Sequence, residues 1–223
     1  MQELSTPFNL IKKSVNIFAK KENLVYLVKI YLPLATVSAF SLVLTLPTAF
    51  VETIESNTTL AYSLGGFLQM AYVLVSIFVY ASAVIGLKKI TEGKEFSLKK
   101  TFNASWKVYW KVLTISIVLF LLYALGFALL IIPGMLFLVW FVFSRFLLIE
   151  KGAGIKESLF KSKEMVKGVY WKILGRLVVF ALFTLLVQIV LSVLPFGLGA
   201  IAVNLCGGLF ILPTYLLYKE ISE

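Results

Sequence analysis

Six charged or amide side chains lie within or at the edges of long, mostly apolar stretches. Lys29, Arg145 and Arg176 each lie slightly inside the edge of a long apolar run. Cations at similar depth suit an anion or lipid-headgroup site, because a planar guanidinium binds phosphate oxygens in pairs. The simpler alternative is that each extends its charged head back to the membrane surface. Gln69, Gln188 and Asn204 form a second set, near the other ends of their runs. Amides there make interhelical hydrogen bonds worth about 0.6–2 kcal/mol per contact, or form an intramembrane polar cluster that receives a polar substrate.

Other chemistry is excluded by composition. The chain has no His, and all 11 of its acidic residues are Glu. This removes His-dependent acid–base catalysis, Ser–His and Cys–His nucleophiles, His-containing metal sites and intramembrane proteolysis by paired Asp. No catalytic set, metal-ligand spacing or cofactor motif is recognisable, so the expectation is a non-enzymatic protein without a cofactor. Cys206 stands alone and has no internal disulfide partner.

The elements that position these residues follow from hydropathy. Of 223 residues, 60% are hydrophobic and 14% charged, against about 45–50% and 25% in soluble domains. One membrane span needs about 20 apolar residues. Residues 30–51, 56–87, 112–144 and 177–218 carry no Asp, Glu, Lys or Arg. The third run is long and holds Pro133-Gly134 near its middle, a turn signal; the fourth is broken by Pro195-Phe-Gly-Leu-Gly199. The fold expected is therefore all-α and polytopic, with six transmembrane helices in three hairpins joined by amphipathic interfacial helices. The spans fall near 24–50, 63–87, 112–132, 135–149, 172–194 and 198–218. The interfacial helices fall near 6–21, 97–110 and 155–168.

Charge placement orients the spans. Segments 1–23, 88–111 and 151–172 hold four, seven and six Lys, whereas the intervening loops hold neither Lys nor Arg. With six spans all three basic segments lie on one side, which the positive-inside rule makes cytoplasmic together with both termini. The predicted location is the inner (plasma) membrane, and the first apolar run is too long for a signal peptide. A net charge of +10 then points to anionic membrane lipids as partners and not to nucleic acid. Asn57-Thr58-Thr59 matches a glycosylation sequon on an outer loop. Neither a protein partner nor a homo-oligomer is specified.

The basic segments look duplicated. Val108-Tyr-Trp-Lys-Val-Leu113 recurs as Val169-Tyr-Trp-Lys-Ile-Leu174, and 8 of 17 positions are identical between 97–113 and 158–174. A weaker third copy aligns Ile11-Lys-Lys-Ser14 with Leu98-Lys-Lys-Thr101. The inferred unit is a basic helix followed by a hairpin of spans, repeated three times. Each basic helix has an apolar stripe at helical spacing: Phe8, Ile11, Val15 and Phe18; Leu98, Phe102, Trp106 and Tyr109; Ile155, Leu159, Val166 and Tyr170. Thr6-Pro7 is a helix start, and Trp106, Trp110 and Trp171 suit the membrane interface. Ala35/Ala39, Ser82/Gly86 and Ala202/Cys206 would allow close helix approach, while Gly207-Gly208, Pro33 and Pro213 would kink or loosen spans.

Several of these residues also carry a family likeness. They are Ala104-Ser-Trp106, Ile131-Ile-Pro-Gly134, Glu150, Glu157-Ser158, Ser162 and Lys167-Gly168 with Trp171. In this pattern the chain resembles the membrane domain attached to some glycerophosphoryl diester phosphodiesterases and related six-helix bacterial membrane proteins. The resemblance implies a polytopic domain without phosphodiesterase activity, since the fused enzymes hold their metal-dependent site in a separate soluble domain. Only Lys219-Glu-Ile-Ser-Glu223 follow the sixth span here. The functional expectation is a multi-pass protein that engages the anionic leaflet and organises lipids or partner proteins. The alternative is a small transporter or a protein handling lipids or glycerophosphodiesters.

Overall fold

The computed structural model describes residues 4–43, 58–94, 97–195 and 198–222. Among them are ten helices and no strand. They are α1 (Pro7–Ala19), α2 (Lys21–Val43), α3 (Thr58–Thr91), α4 (Leu98–Leu129), α5 (Ile131–Trp140), α6 (Ser144–Lys151), α7 (Ile155–Val166), α8 (Tyr170–Ser192), α9 (Leu198–Leu205) and α10 (Gly207–Ser222). Six stretches are long and apolar enough to cross a membrane: Lys21–Leu42, Tyr62–Thr91, Leu98–Leu129, Ile131–Lys151, Tyr170–Ser192 and Leu198–Ser222. The chain is an all-α, multi-pass membrane protein. Helices are what lipid demands, because every backbone N–H and C=O must find its partner within the segment. The expected end of the first span, residues 44–50, and the loop through Asn57 lie outside the described residues.

Two expected boundaries shift. The second basic segment and third span form one unbroken 32-residue helix, α4, where an interfacial helix over 97–110 and a separate span were expected. No Gly or Pro occurs between Leu98 and Leu125 to interrupt it. The equivalent joints elsewhere are real: Lys20 is extended between α1 and α2, and Gly168 takes a left-handed conformation (φ 84°) between α7 and α8. The second shift is the turn between the third and fourth spans. It occurs at Leu130, which is extended, and Pro133-Gly134 sit in the first turn of α5. Proline is tolerated there because first-turn N–H groups have no intrahelical acceptor. Gly134 serves packing instead, since a Cβ on it would lie 2.5 Å from the Phe127 ring.

Successive spans pack side by side, α2 on α3, α3 on α4 and α4 on α5, while α9 returns to α2 and α10 to α1. The basic segments and both described chain ends gather at one end of the bundle, the basic end. There Leu27, Ile30, Val84, Leu87, Ile115, Phe143, Ile173, Leu212 and Tyr215 are fully buried in one core. Phe120, Leu186 and Val190 face outwards with 63–70% of their surface exposed, the pattern of helices solvated by lipid. The last span is broken at Cys206, between α9 and α10. At that break the Tyr31 ring of α2 lies against Gly207, and a Cβ there would overlap it.

The apolar stripes identify the buried faces of the amphipathic helices only in part: Tyr109 and Val166 are buried and Ile11, Phe18, Leu98, Phe102, Ile155 and Leu159 pack against the core, but small hydroxyl residues share those faces. In α1 the buried residues are Leu10 and Ser14, whereas Phe8 and Val15 are exposed. In the first turns of α4 they are Thr101, Ser105 and Tyr109, with Trp106 and Trp110 exposed; in α7 they are Ser158, Ser162 and Val166. Ser14, Thr101 and Ser162 occupy aligned positions of the three basic segments, and all three are completely buried. Each of these helices therefore packs on protein through small hydroxyl residues and offers large apolar rings to its surroundings. Glu157 helps start α7 by accepting from the Gly154 N–H at 3.3 Å. The Lys161 ammonium, bonded to it, and that N–H hold its carboxyl below the usual range.

Gly207→Ala should destabilise the protein by about 1–3 kcal/mol, the usual cost of overpacking a close contact. Thermal unfolding in detergent measures this, with Gly175→Ala as the control because a Cβ there meets nothing within 4 Å. Equal melting temperatures for the two variants would show that the Tyr31–Gly207 contact is slack.

Candidate functional site

The three amides come together. Gln69 of α3, Gln188 of α8 and Asn204 of α9 all line one cavity of about 750 Å³ at the end of the bundle opposite the basic end. Its walls also include Ser38 and Ser41 of α2, Tyr72 of α3 and Ser192 of α8. Small residues create the space: Gly65, Gly199 and Ala200 line it as well. Gly199 also lets α9 turn back tightly on α8, since a Cβ on it would lie 2.5 Å from the Leu191 carbonyl oxygen. That turn brings Gln188 and Asn204 to the same cavity.

Part of the cavity wall is already satisfied. The Tyr72 hydroxyl donates to Asn204 Oδ1 at 3.0 Å, Asn204 Nδ2 donates to Ser38 Oγ at 2.6 Å, and Ser38 donates to the Leu34 carbonyl at 3.2 Å. This chain ties α2, α3 and α9 together. Gln69 and Gln188 have no hydrogen-bond partner among the described residues. The cavity thus offers neutral donors and acceptors beside Val37, Leu42, Leu68 and Val203, and no charged side chain among the described residues lines it. Such a lining suits a polar but uncharged or internally neutralised group attached to something apolar.

The three cations do not share a site. Arg176 spends its guanidinium on backbone: Nε donates to the Ser5 carbonyl at 3.0 Å, one terminal nitrogen to Leu4 at 2.8 Å and the other to Lys172 at 2.8 Å. The Ser5 N–H in turn donates to Glu220 Oε2 at 3.2 Å. Arg176 is therefore a clasp for the segment ahead of α1. Lys29 is exposed in a groove of about 580 Å³ with Lys21, Glu22, Tyr26 and Lys99. Arg145 stands apart from both, with its guanidinium carbon 4.9 Å from the centre of the Tyr80 ring.

Sequence reasoning did not single out the polar contact that joins the fourth and sixth spans. Glu150 of α6, with only 4% of its side chain exposed, pairs with Lys219 of α10 at 2.5 Å. The Tyr215 hydroxyl donates to the same carboxylate oxygen at 3.2 Å, and Lys88 of α3 donates to the Glu150 carbonyl at 3.2 Å. Tyr218 lies near Glu150 without reaching hydrogen-bond geometry, and Glu150 Oε2 has no partner. The available signal was position: Glu150 ends the apolar part of the fourth span just as Lys219 ends the sixth. A second contact, Tyr26 with Thr101 at 2.6 Å and Lys89 with Thr101 at 3.1 Å, joins α2, α3 and α4. No protein-family model, curated protein or solved structure matches this chain.

Removing one partner of a buried ion pair leaves a charge uncompensated, at about 3–5 kcal/mol. Lys219 keeps a quarter of its side chain exposed, so Glu150→Gln should fall towards the lower value. The double variant Glu150→Gln with Lys219→Met should recover much of the loss in thermal unfolding. Additive losses would show that the two residues are not energetically coupled.

Proposed function

We propose that this chain is a non-enzymatic lipid-handling protein of the inner membrane that holds an amphiphile by its polar group in the cavity at the end away from the termini. The observation that supports this best is the meeting of Gln69, Gln188 and Asn204, from three helices, on one cavity whose described lining is uncharged. Uncharged donors and acceptors beside apolar walls match a glycerol-like or zwitterionic headgroup with acyl chains. The cations favour this reading over a shared anion site at the surface, because Arg176 is committed to backbone carbonyls and Lys29 is exposed. The basic end adds a second attraction. Its lysines and exposed Trp106, Trp110 and Trp171 suit an anionic leaflet with aromatic rings at headgroup level. In this reading the basic end is cytoplasmic, both termini included.

Triplication of a basic helix and hairpin accounts for the aligned, buried Ser14, Thr101 and Ser162. The likeness to the membrane domain of glycerophosphoryl diester phosphodiesterases agrees with a glycerophospholipid as the amphiphile.

Native mass spectrometry of the detergent-extracted protein should show one co-extracted glycerophospholipid per chain. Gln69→Leu with Gln188→Leu should lower its occupancy at least tenfold without changing helicity, because neither amide has a hydrogen-bond partner among the described residues. Unchanged occupancy, or no bound lipid in the unaltered protein, would reject the proposal. A fluorescent protein fused after Glu223 should fluoresce and alkaline phosphatase fused there should be inactive; the reverse would place the basic end outside.

A further inference from the structure

A groove of about 520 Å³ lies between α5 and the joint of α7 with α8. Its α5 wall is apolar and comprises Ile132, Met135, Leu136 and the Trp140 ring. From Ile132 to Trp140 that wall rises about 12 Å. The facing wall includes Lys167 and Trp171. The groove is open to its surroundings, since Trp171 has 79% and Ile132 71% of its surface exposed. Lys163, one turn before Lys167 on α7, holds its ammonium 4.4 Å from the centre of the Trp140 ring. A ring face attracts a cation but accepts none of its directional N–H bonds. Neither lysine pairs with a carboxylate among the described residues, and no described acidic side chain lines the groove.

The matching stretch 97–113 fills the same positions differently. Lys163 and Lys167 align there with Phe102 and Trp106, whose rings meet Phe78 of α3 at centroid distances of 5.6 and 6.0 Å. Tyr170, Trp171 and Leu174 keep the identities of Tyr109, Trp110 and Leu113, but Gly168 stands where the other stretch has Lys107. The left-handed Gly168 (φ 84°) ends α7 at this point, whereas α4 runs on unbroken. Ring-on-ring packing within the protein thus gives way to two ammonium groups beside an open apolar groove. Basic pockets between membrane helices are the sites that take anionic lipid headgroups.

We propose that this groove binds one anionic phospholipid of the leaflet at the basic end, with its phosphate against Lys163 and Lys167 and an acyl chain along Leu136, Met135 and Ile132. The ammonium groups donate charge-assisted hydrogen bonds to phosphate oxygens. With two cations and no described carboxylate at the groove, a net negative headgroup is favoured over a zwitterionic one, whose own ammonium the lysines repel. The site is separate from the amide cavity and stands whether or not that cavity holds a lipid. Being open-sided, it exchanges its lipid with bilayer or detergent, so this lipid is not the one retained through extraction.

The test uses the full chain in phosphatidylcholine vesicles. The protein has four tryptophans, and Trp106→Phe with Trp110→Phe leaves the two at the groove, Trp140 and Trp171, as its tryptophan fluorophores. A minor fraction of the lipid carries bromine on its acyl chains, as phosphatidylglycerol or, for comparison, as phosphatidylcholine. Brominated phosphatidylglycerol should quench the tryptophans several-fold more than brominated phosphatidylcholine does. Lys163→Gln with Lys167→Gln should remove that preference at an unchanged melting temperature. Lys99→Gln with Lys107→Gln, which takes the same charge from exposed positions of α4, should leave it, as should Gln69→Leu with Gln188→Leu in the amide cavity. Equal quenching by the two brominated lipids would overturn the proposal. So would a preference that survives in every folded Lys163 and Lys167 variant, or one lost equally with the α4 lysines, which would mark a general attraction of the basic end.

Discussion

Lipid tails are as apolar as leucine, so helices in a bilayer gain little from hiding apolar side chains from one another. What holds spans together is close packing and the few polar contacts that lipid cannot replace. The bundle reflects that constraint throughout. Gly86 admits the Tyr26 and Ile30 side chains of α2, Gly126 and Gly134 bring α4 and α5 together, and Gly207 receives Tyr31. Polar links then fix the order: Tyr26–Thr101–Lys89, Ser82–Ser105, Ser162 with the Trp140 carbonyl, and Glu150–Lys219. Most of these links cluster at the basic end. The fifth span, with 11% of its most apolar window buried, is the least buried of the six.

This division assigns different chemistry to the two ends. At the basic end charge is abundant, and part of it is used structurally, as when Arg176 and Glu220 fasten the segment before α1. At the opposite end the described lining is neutral, built from amides and hydroxyls around a cavity. Arg145 belongs to neither set. Its guanidinium lies over the Tyr80 ring, and no described residue gives it a hydrogen-bond acceptor.

The spans were legible because membrane helices are specified by long uncharged runs, which Glu, Lys and Arg delimit sharply in this sequence. The level of the amides was legible too, since Gln188 and Asn204 flank one hairpin and depth follows from counting. Joints were harder. Pro133-Gly134 reads as a turn, but proline fits a first helical turn as well, and Leu130 carries the reversal. The buried face of α1 was hidden for a related reason: a helix between protein and lipid can be apolar on both sides. Of the periodic stripe Phe8, Ile11, Val15 and Phe18, packing uses Ile11 and Phe18 and adds Leu10 and Ser14, leaving Phe8 and Val15 exposed. Partner choice was not legible at all, because the destination of Arg176 depends on where residues 4 and 5 return in space.

The unbroken α4 has a mechanical consequence. Its 32 residues extend about 48 Å at 1.5 Å per residue, well beyond a hydrocarbon layer of about 30 Å. The other two basic helices meet their spans at articulated points, Lys20 and Gly168, and can change angle there without disturbing the span. Leu98–Leu129 has no such point, so it behaves as a rigid rod with one end embedded among the lysines and the other beside the Leu130 turn. A bilayer that thins or thickens must tilt the rod as a whole, carrying displacement from one leaflet to the other.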